Sequence, residues 1–204
     1  MIRDTSATYP FICSFLFLIA IITIFFYVLD PTEPKFVLDD VMVSNLTNSV
    51  GAFTPRLDVT ISARNPSHYL GIGYHGLRAY VEYQSQRITA PDVLLFPPDL
   101  YQSEGDDGAT WTSSLSGDAV ILSPMLLQKL NTDILNVTIH VVGRLRGEIG
   151  VLKSVWQSFD VNCFASLPLG NTSEWDPPAD GGRRSNSGGG LKFALSQPCS
   201  TAIS

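Results

Sequence analysis

From Phe11 to Leu29 the chain runs for 19 residues without a charged side chain. At about 1.5 Å per residue, a helix of that length reaches roughly 28 Å, close to the thickness of a hydrocarbon core. Such a run serves either as a membrane span or as the core of a cleaved leader. It is longer than a usual leader core, and Tyr27, Val28, Leu29, Asp30 and Pro31 offer no pair of small residues where a peptidase would cut. The expectation is therefore an uncleaved anchor, residues 11–29, preceded by a short cytosolic stretch, 1–10, and followed by a linker, 30–35. Arg3 and Lys35, one cation on each side, hardly orient it.

Orientation comes from elsewhere. Asn45-Leu-Thr47, Asn136-Val-Thr138 and Asn171-Thr-Ser173 are glycan acceptors, usable only if the long C-terminal part enters the secretory lumen. The expected arrangement is single-pass type II, with the C-terminal domain outside. Cys13 falls within the span, which leaves Cys163 and Cys199 as the pair able to meet in an oxidising compartment; two unpaired thiols are the alternative.

After Pro31 and Pro34 the pattern changes to short alternating runs. In Arg56 to Arg64, Leu57, Val59, Ile61 and Ala63 share one face and the polar residues share the other. The period returns in Leu77, Ala79, Val81 and Tyr83, and in Val137, Ile139 and Val141, which turns Asn136 outward. Lys35 to Val43 is the expected first strand, with a bulge or bend at Asp39-Asp40. Val155 to Cys163 is a further one, with Val155, Phe159 and Val161 inward. Ser123-Pro124 is suited to start a short helix through Leu130. These elements predict an antiparallel β-sandwich over residues 36–167, with a small barrel as the alternative. From Pro168 to Ser204, Pro, Gly, Ser and Asn dominate, which predicts a flexible tail.

The chemistry-bearing motifs are weak. Gly71, Gly73 and Gly76 fit the dinucleotide-loop spacing but precede a strand and not a helix, so they read as turn or bulge glycines. His68, His75 and His140 lack metal-ligand pairing, and Glu104-Gly-Asp-Asp-Gly108 lacks calcium-loop spacing. No nucleophile elbow is present, so no catalytic, metal or cofactor residue is assigned. A net charge of −6 argues against nucleic acid and anionic headgroups as partners of the domain. Asn65-Pro66-Ser67 reads as a turn in which Asn bonds its own backbone two residues on.

The order of several fragments resembles a plant family, the NDR/HIN-like proteins, which carry the group-two late embryogenesis abundant domain related to the water stress and hypersensitive response domain. The fragments are Ala63-Arg-Asn-Pro66, Gly71-Ile-Gly-Tyr74, Pro98, Tyr101-Gln102, Leu115-Ser-Gly117, Gly143-Arg-Leu-Arg146 with Gly150, and Trp156 with Cys163. Ser67 stands where the family usually has Asn, and members often carry a longer basic or Pro-rich head than the ten residues here. The resemblance implies a fibronectin-like sandwich of about seven strands. It further implies a non-enzymatic interaction module of defence or stress responses at the plasma membrane or its plasmodesmata, with other membrane or cell-surface proteins as partners. A binder of small molecules or lipids between the sheets, or an anchored hydrolase, are the alternatives, requiring an apolar cavity or a cleft with converging catalytic groups.

Overall fold

In a computed structural model, the described residues are 8–28, 33–49, 52–90, 92–93, 99–106, 108–118, 120–121, 123, 125–126, 134–168, 183–187 and 190–204. They form one helix, α1 (Thr8–Val28), and fourteen strands: β1 (Lys35–Ser49), β2 (Ala52–Arg64), β3 (Gly71–Tyr83), β4 (Gln86–Arg87), β5 (Asp92–Val93), β6 (Asp99–Gln102), β7 (Ala109–Ser116), β8 (Val120–Ile121), β9 (Ile134–Ile149), β10 (Leu152–Lys153), β11 (Gln157–Pro168), β12 (Arg183–Ser187), β13 (Gly190–Pro198) and β14 (Ser200–Ile203). Seven of them, β1, β2, β3, β7, β9, β11 and β13, have eight residues or more.

Every pairing is antiparallel. One sheet has the order β12-β13-β1-β2-β7 with β8 beside β2; the other runs β14-β11-β9-β3-β4, with β10 on β9 and β5 and β6 on β3. Alternation in the sequence decides which faces meet. Leu57, Val59, Ile61 and Ala63 of β2 are buried, as are Leu77, Ala79, Val81 and Tyr83 of β3 and Val137, Ile139 and Val141 of β9. Between the sheets the rings of Phe36, Tyr74, Trp111 and Phe159 are mutually packed, Phe36 lying 5.5 Å from Trp111 and 5.8 Å from Phe159 between ring centroids. Full burial of such a side chain contributes roughly 1.5–3 kcal/mol.

The first strand bulges where expected, with the register of β1 shifting between Leu38 and Asp40 against both neighbours. Two expectations need correction. Val155 does not point inward; it is exposed in the connection before β11, which starts at Gln157. The segment from Pro168 is not a flexible tail throughout, because Gly190–Pro198 pairs with β1 and Ser200–Ile203 pairs with β11. Leu191, Phe193 and Leu195 alternate, and Phe193 is fully packed into the core, so the ordered domain extends to the last strand. Its chain passes from one sheet to the other through Cys199, whose N–H donates to the Phe36 carbonyl at 2.9 Å and whose sulfur is bonded to Cys163.

The short helix expected after Ser123 is seen at its start, where Met125 and Leu126 are helical and Leu126 N–H donates to the Ser123 carbonyl at 2.9 Å; residues 127–130 lie outside the described residues. α1 is 21 residues long with no charged side chain, but side-chain surroundings are described only over residues 10–24. No described helix is long and apolar enough to cross a membrane, so the anchor expected over Phe11 to Leu29 is not established by the fold.

Candidate functional site

The β2–β3 crossover closes one end of the sandwich through a fully buried asparagine. Asn65 Oδ1 accepts from Ser67 N–H at 3.0 Å, while its Nδ2 donates to the carbonyls of Leu70 at 2.7 Å and Ser103 at 2.9 Å. Its own N–H donates to the Asp106 carbonyl at 2.9 Å. Pro66 fixes φ just after it, and the Ser67 hydroxyl accepts from Leu70 N–H at 3.1 Å, so serine itself holds the turn. Gln102 ties the same loops to the core, donating to Ala63 O at 2.8 Å and Asp106 O at 3.1 Å.

Beside this end lies the outer face of the larger sheet. Gly73 has no side chain, and a Cβ there would stand 2.7 Å from Glu148 Oε1, so the glycine lets the carboxylate lie across the strand. Glu148 is thereby held between Arg146, at 2.7 Å, and Lys153, at 3.5 Å. The Arg146 guanidinium in turn covers the Trp156 ring at 4.2 Å, and that ring is 5.6 Å from His75. A groove of about 480 Å³ runs past Gly73, Tyr101, Arg146 and Trp156. It meets a second of about 630 Å³ at His75 and Arg144, which continues past Arg78 to Ser158 and Asp160. Partial desolvation, then the charges of Glu104 and Glu148, raise the Tyr101 hydroxyl above its ordinary value. The surface offers guanidinium donors and ring faces to a polar or acidic partner.

Gly76 has φ +64° and falls where the β3 register shifts between His75 and Arg78, a bulge that only a residue without Cβ adopts freely. The three histidines are not brought together. His68 lies in the crossover near Gly105, His75 in the groove, and His140 stacks on Tyr80 with Glu82 at 3.3 Å. The acidic loop serves through its backbone, Asp106 O accepting from Asn65 and Gln102.

Among the sequons, Asn136 is exposed on β9, with Oδ1 accepting from Ser166 Oγ at 2.6 Å, an arrangement that uses the oxygen and not the Nδ2 to which a glycan is joined. Asn45 pairs with Arg56 in β1, and Asn171 lies outside the described residues. Tyr74, Arg144, Arg146 and Trp156 were not singled out as site residues by the sequence, and their fragments gave only the signal of the resemblance.

No family model matches the chain. Three curated proteins of Arabidopsis thaliana do. NDR1/HIN1-like protein 1 is 27% identical over 183 residues, covering 86% of this chain and 82% of its own length. NDR1/HIN1-like protein 12 is 31% identical over 160 residues, 74% of each chain. The chain belongs to the NDR1/HIN1-like family. NDR1/HIN1-like protein 26 matches at 27% over 184 residues, 87% of this chain. Matches covering 86% and 87% of the chain extend beyond the sandwich core, so this NDR1/HIN1-like chain is related to its relatives along most of its length.

Proposed function

We propose that this NDR1/HIN1-like protein is a single-span membrane protein whose β-domain lies outside and binds partners of a plant defence or stress response without turning over a substrate. What supports the reading is the uncharged run from Phe11 to Leu29 in the sequence, which continues past the residues whose side chains are described, 10–24, where Phe11, Phe15 and Phe17 are among the exposed apolar side chains. In water, such a surface is costly; in lipid, it is solvated. The Cys163–Cys199 bond accords with an oxidising compartment. The face for partners is the outer-sheet groove around His75 and Arg144, where Arg78 and Arg144 project as exposed cations.

A ligand between the sheets is the weaker reading, since Phe36, Tyr74, Trp111 and Phe159 occupy that space. Alkaline carbonate extraction of membranes tests the anchor. The protein is expected to stay in the pellet, and release of the intact chain into the supernatant would contradict the reading. The partner face is tested by comparing the intact protein with a double variant, Arg78→Glu with Arg144→Glu. Partners recovered by cross-linking are expected to be lost while the fold and membrane fractionation persist.

A further inference from the structure

The end of the sandwich that receives the chain from α1 also exposes a group of apolar side chains. Lys35 opens β1 opposite Arg64, and Arg64 leads through the Asn65 turn to Gly71, which pairs with Glu148. The 103–106 loop joins the same end, Gly105 N–H donating to Ser67 O at 2.7 Å, and the β9–β10 hairpin turns just beyond Ile149. Seven residue steps separate Val28 from Lys35, at most about 25 Å of extended chain.

At the tips of these loops Tyr69 is 80% exposed, Val151 92% and Val155 72%. Tyr101, Leu152 and Trp156 flank them, each more than a third exposed. Gly150, at φ +58°, makes the tight turn that pushes Val151 outward. Aromatic rings with a polar edge beside aliphatic tips suit the boundary between headgroups and acyl chains, where one end is apolar and the other wet. Exposed Ile121, Met125 and Ile134 at the other end adjoin residues outside the described set, so their exposure carries no comparable argument.

We propose that this tethered end docks on the bilayer, with Tyr69, Val151 and Val155 seated in the interfacial layer. The inference rests on α1 being the anchor. Lys35, Arg64, Arg146 and Lys153 share this end with Glu33, Glu104, Asp106 and Glu148, so the charges nearly balance. Docking therefore draws on apolar and aromatic contact and needs no anionic lipid. The outer-sheet groove then opens to the side, above the headgroups, within reach of partners in the same membrane.

The test uses the full chain with Cys13→Ser, its native disulfide intact, in phosphatidylcholine vesicles, carrying a nitroxide at Val151→Cys, Leu18→Cys or Asp118→Cys. Asp118 is exposed near the opposite end, next to Gly117, whose N–H donates to Pro55 O. The label at 151 is expected to collide at least several-fold more with lipid-soluble oxygen, relative to a water-soluble nickel complex, than the label at 118, equally at low and high salt. A label at 151 that behaves like that at 118, with 18 deep in the bilayer, would overturn the docking and leave the anchor. A label at 18 in water with 151 at headgroup depth would overturn the anchor and leave the docking. Both in water would overturn both. Immobilisation at 151 without lipid collisions would mean a protein contact and would also overturn the docking.

Discussion

The Tyr74 hydroxyl donates to Gln102 Oε1 at 3.1 Å in the buried space between the sheets. Gln102 uses its amide hydrogens on the backbone of β2 and of the acidic loop, so one side chain joins the core to the loops that close the tethered end. Gln102→Leu leaves the Tyr74 hydroxyl and the Ala63 carbonyl without these partners. The expected loss is about 2–4 kcal/mol, as unsatisfied buried groups cost roughly 1–3 kcal/mol each. Urea unfolding measures it as a lower midpoint with unchanged slope.

The Asn65 side chain makes one acceptor and two donor bonds, beside the bond from its backbone N–H to Asp106. Asn65→Asp keeps the bond from Ser67 but turns two donors into an acceptor facing the carbonyls of Leu70 and Ser103. A loss of about 3 kcal/mol is expected, larger than for the same change at the exposed Asn136. Thermal unfolding of the two variants side by side checks the ranking.

Burial raises the Tyr74 hydroxyl well above the ordinary tyrosine value. The folded state therefore keeps a proton that the unfolded chain releases near pH 10. Stability is fully present below that pH and falls above it by up to about 1.4 kcal/mol per pH unit until the folded-state value is reached. Tyr74→Phe removes this part of the alkaline decline, although it costs stability at neutral pH through the lost bond to Gln102. Unfolding midpoints from pH 8 to 11 distinguish the two effects.

Glycines separate by what a Cβ would meet. At Gly117 it would run into the Ile88 carbonyl, a backbone atom that cannot move aside, whereas at Gly71 it meets the ring end of the half-exposed Tyr101, which can swing out. Gly117→Ala is expected to cost about 2–3 kcal/mol and Gly71→Ala under about 1 kcal/mol. Both are read by chemical denaturation.

The Cys163–Cys199 bond closes 36 residues and holds β13 and β14 to the domain. Replacing both cysteines by Ala is expected to cost about 3–4 kcal/mol. Amide exchange should then accelerate first in Gly190–Ile203, while β2, β3 and β9 keep their protection.

Strands were legible wherever apolar residues alternated against polar ones, as in Leu57 to Ala63, because a half-buried sheet imposes that period. The same signal existed at Leu191, Phe193 and Leu195, but three residues among Gly, Ser and Pro read as tail composition. Val155 misled in the opposite way, since its place in an alternating run said nothing of the strand starting two residues later. The turn at Asn65 was legible, but its buried bonds to Leu70 and Ser103 were not, because Ser103 lies 38 residues away in the chain. Arg146, Glu148 and Trp156 become a site only through the hairpin between them and the missing side chain at Gly73.

The central claim is an outward β-domain on an uncleaved anchor, and Asn136 reports on it directly. In sealed microsomes carrying the full chain, the domain is expected to resist added protease until detergent is present. Glycosidase is expected to lower its mass, by one glycan less in Asn136→Gln. Digestion of the domain in intact microsomes, with no glycosidase shift, would contradict the account.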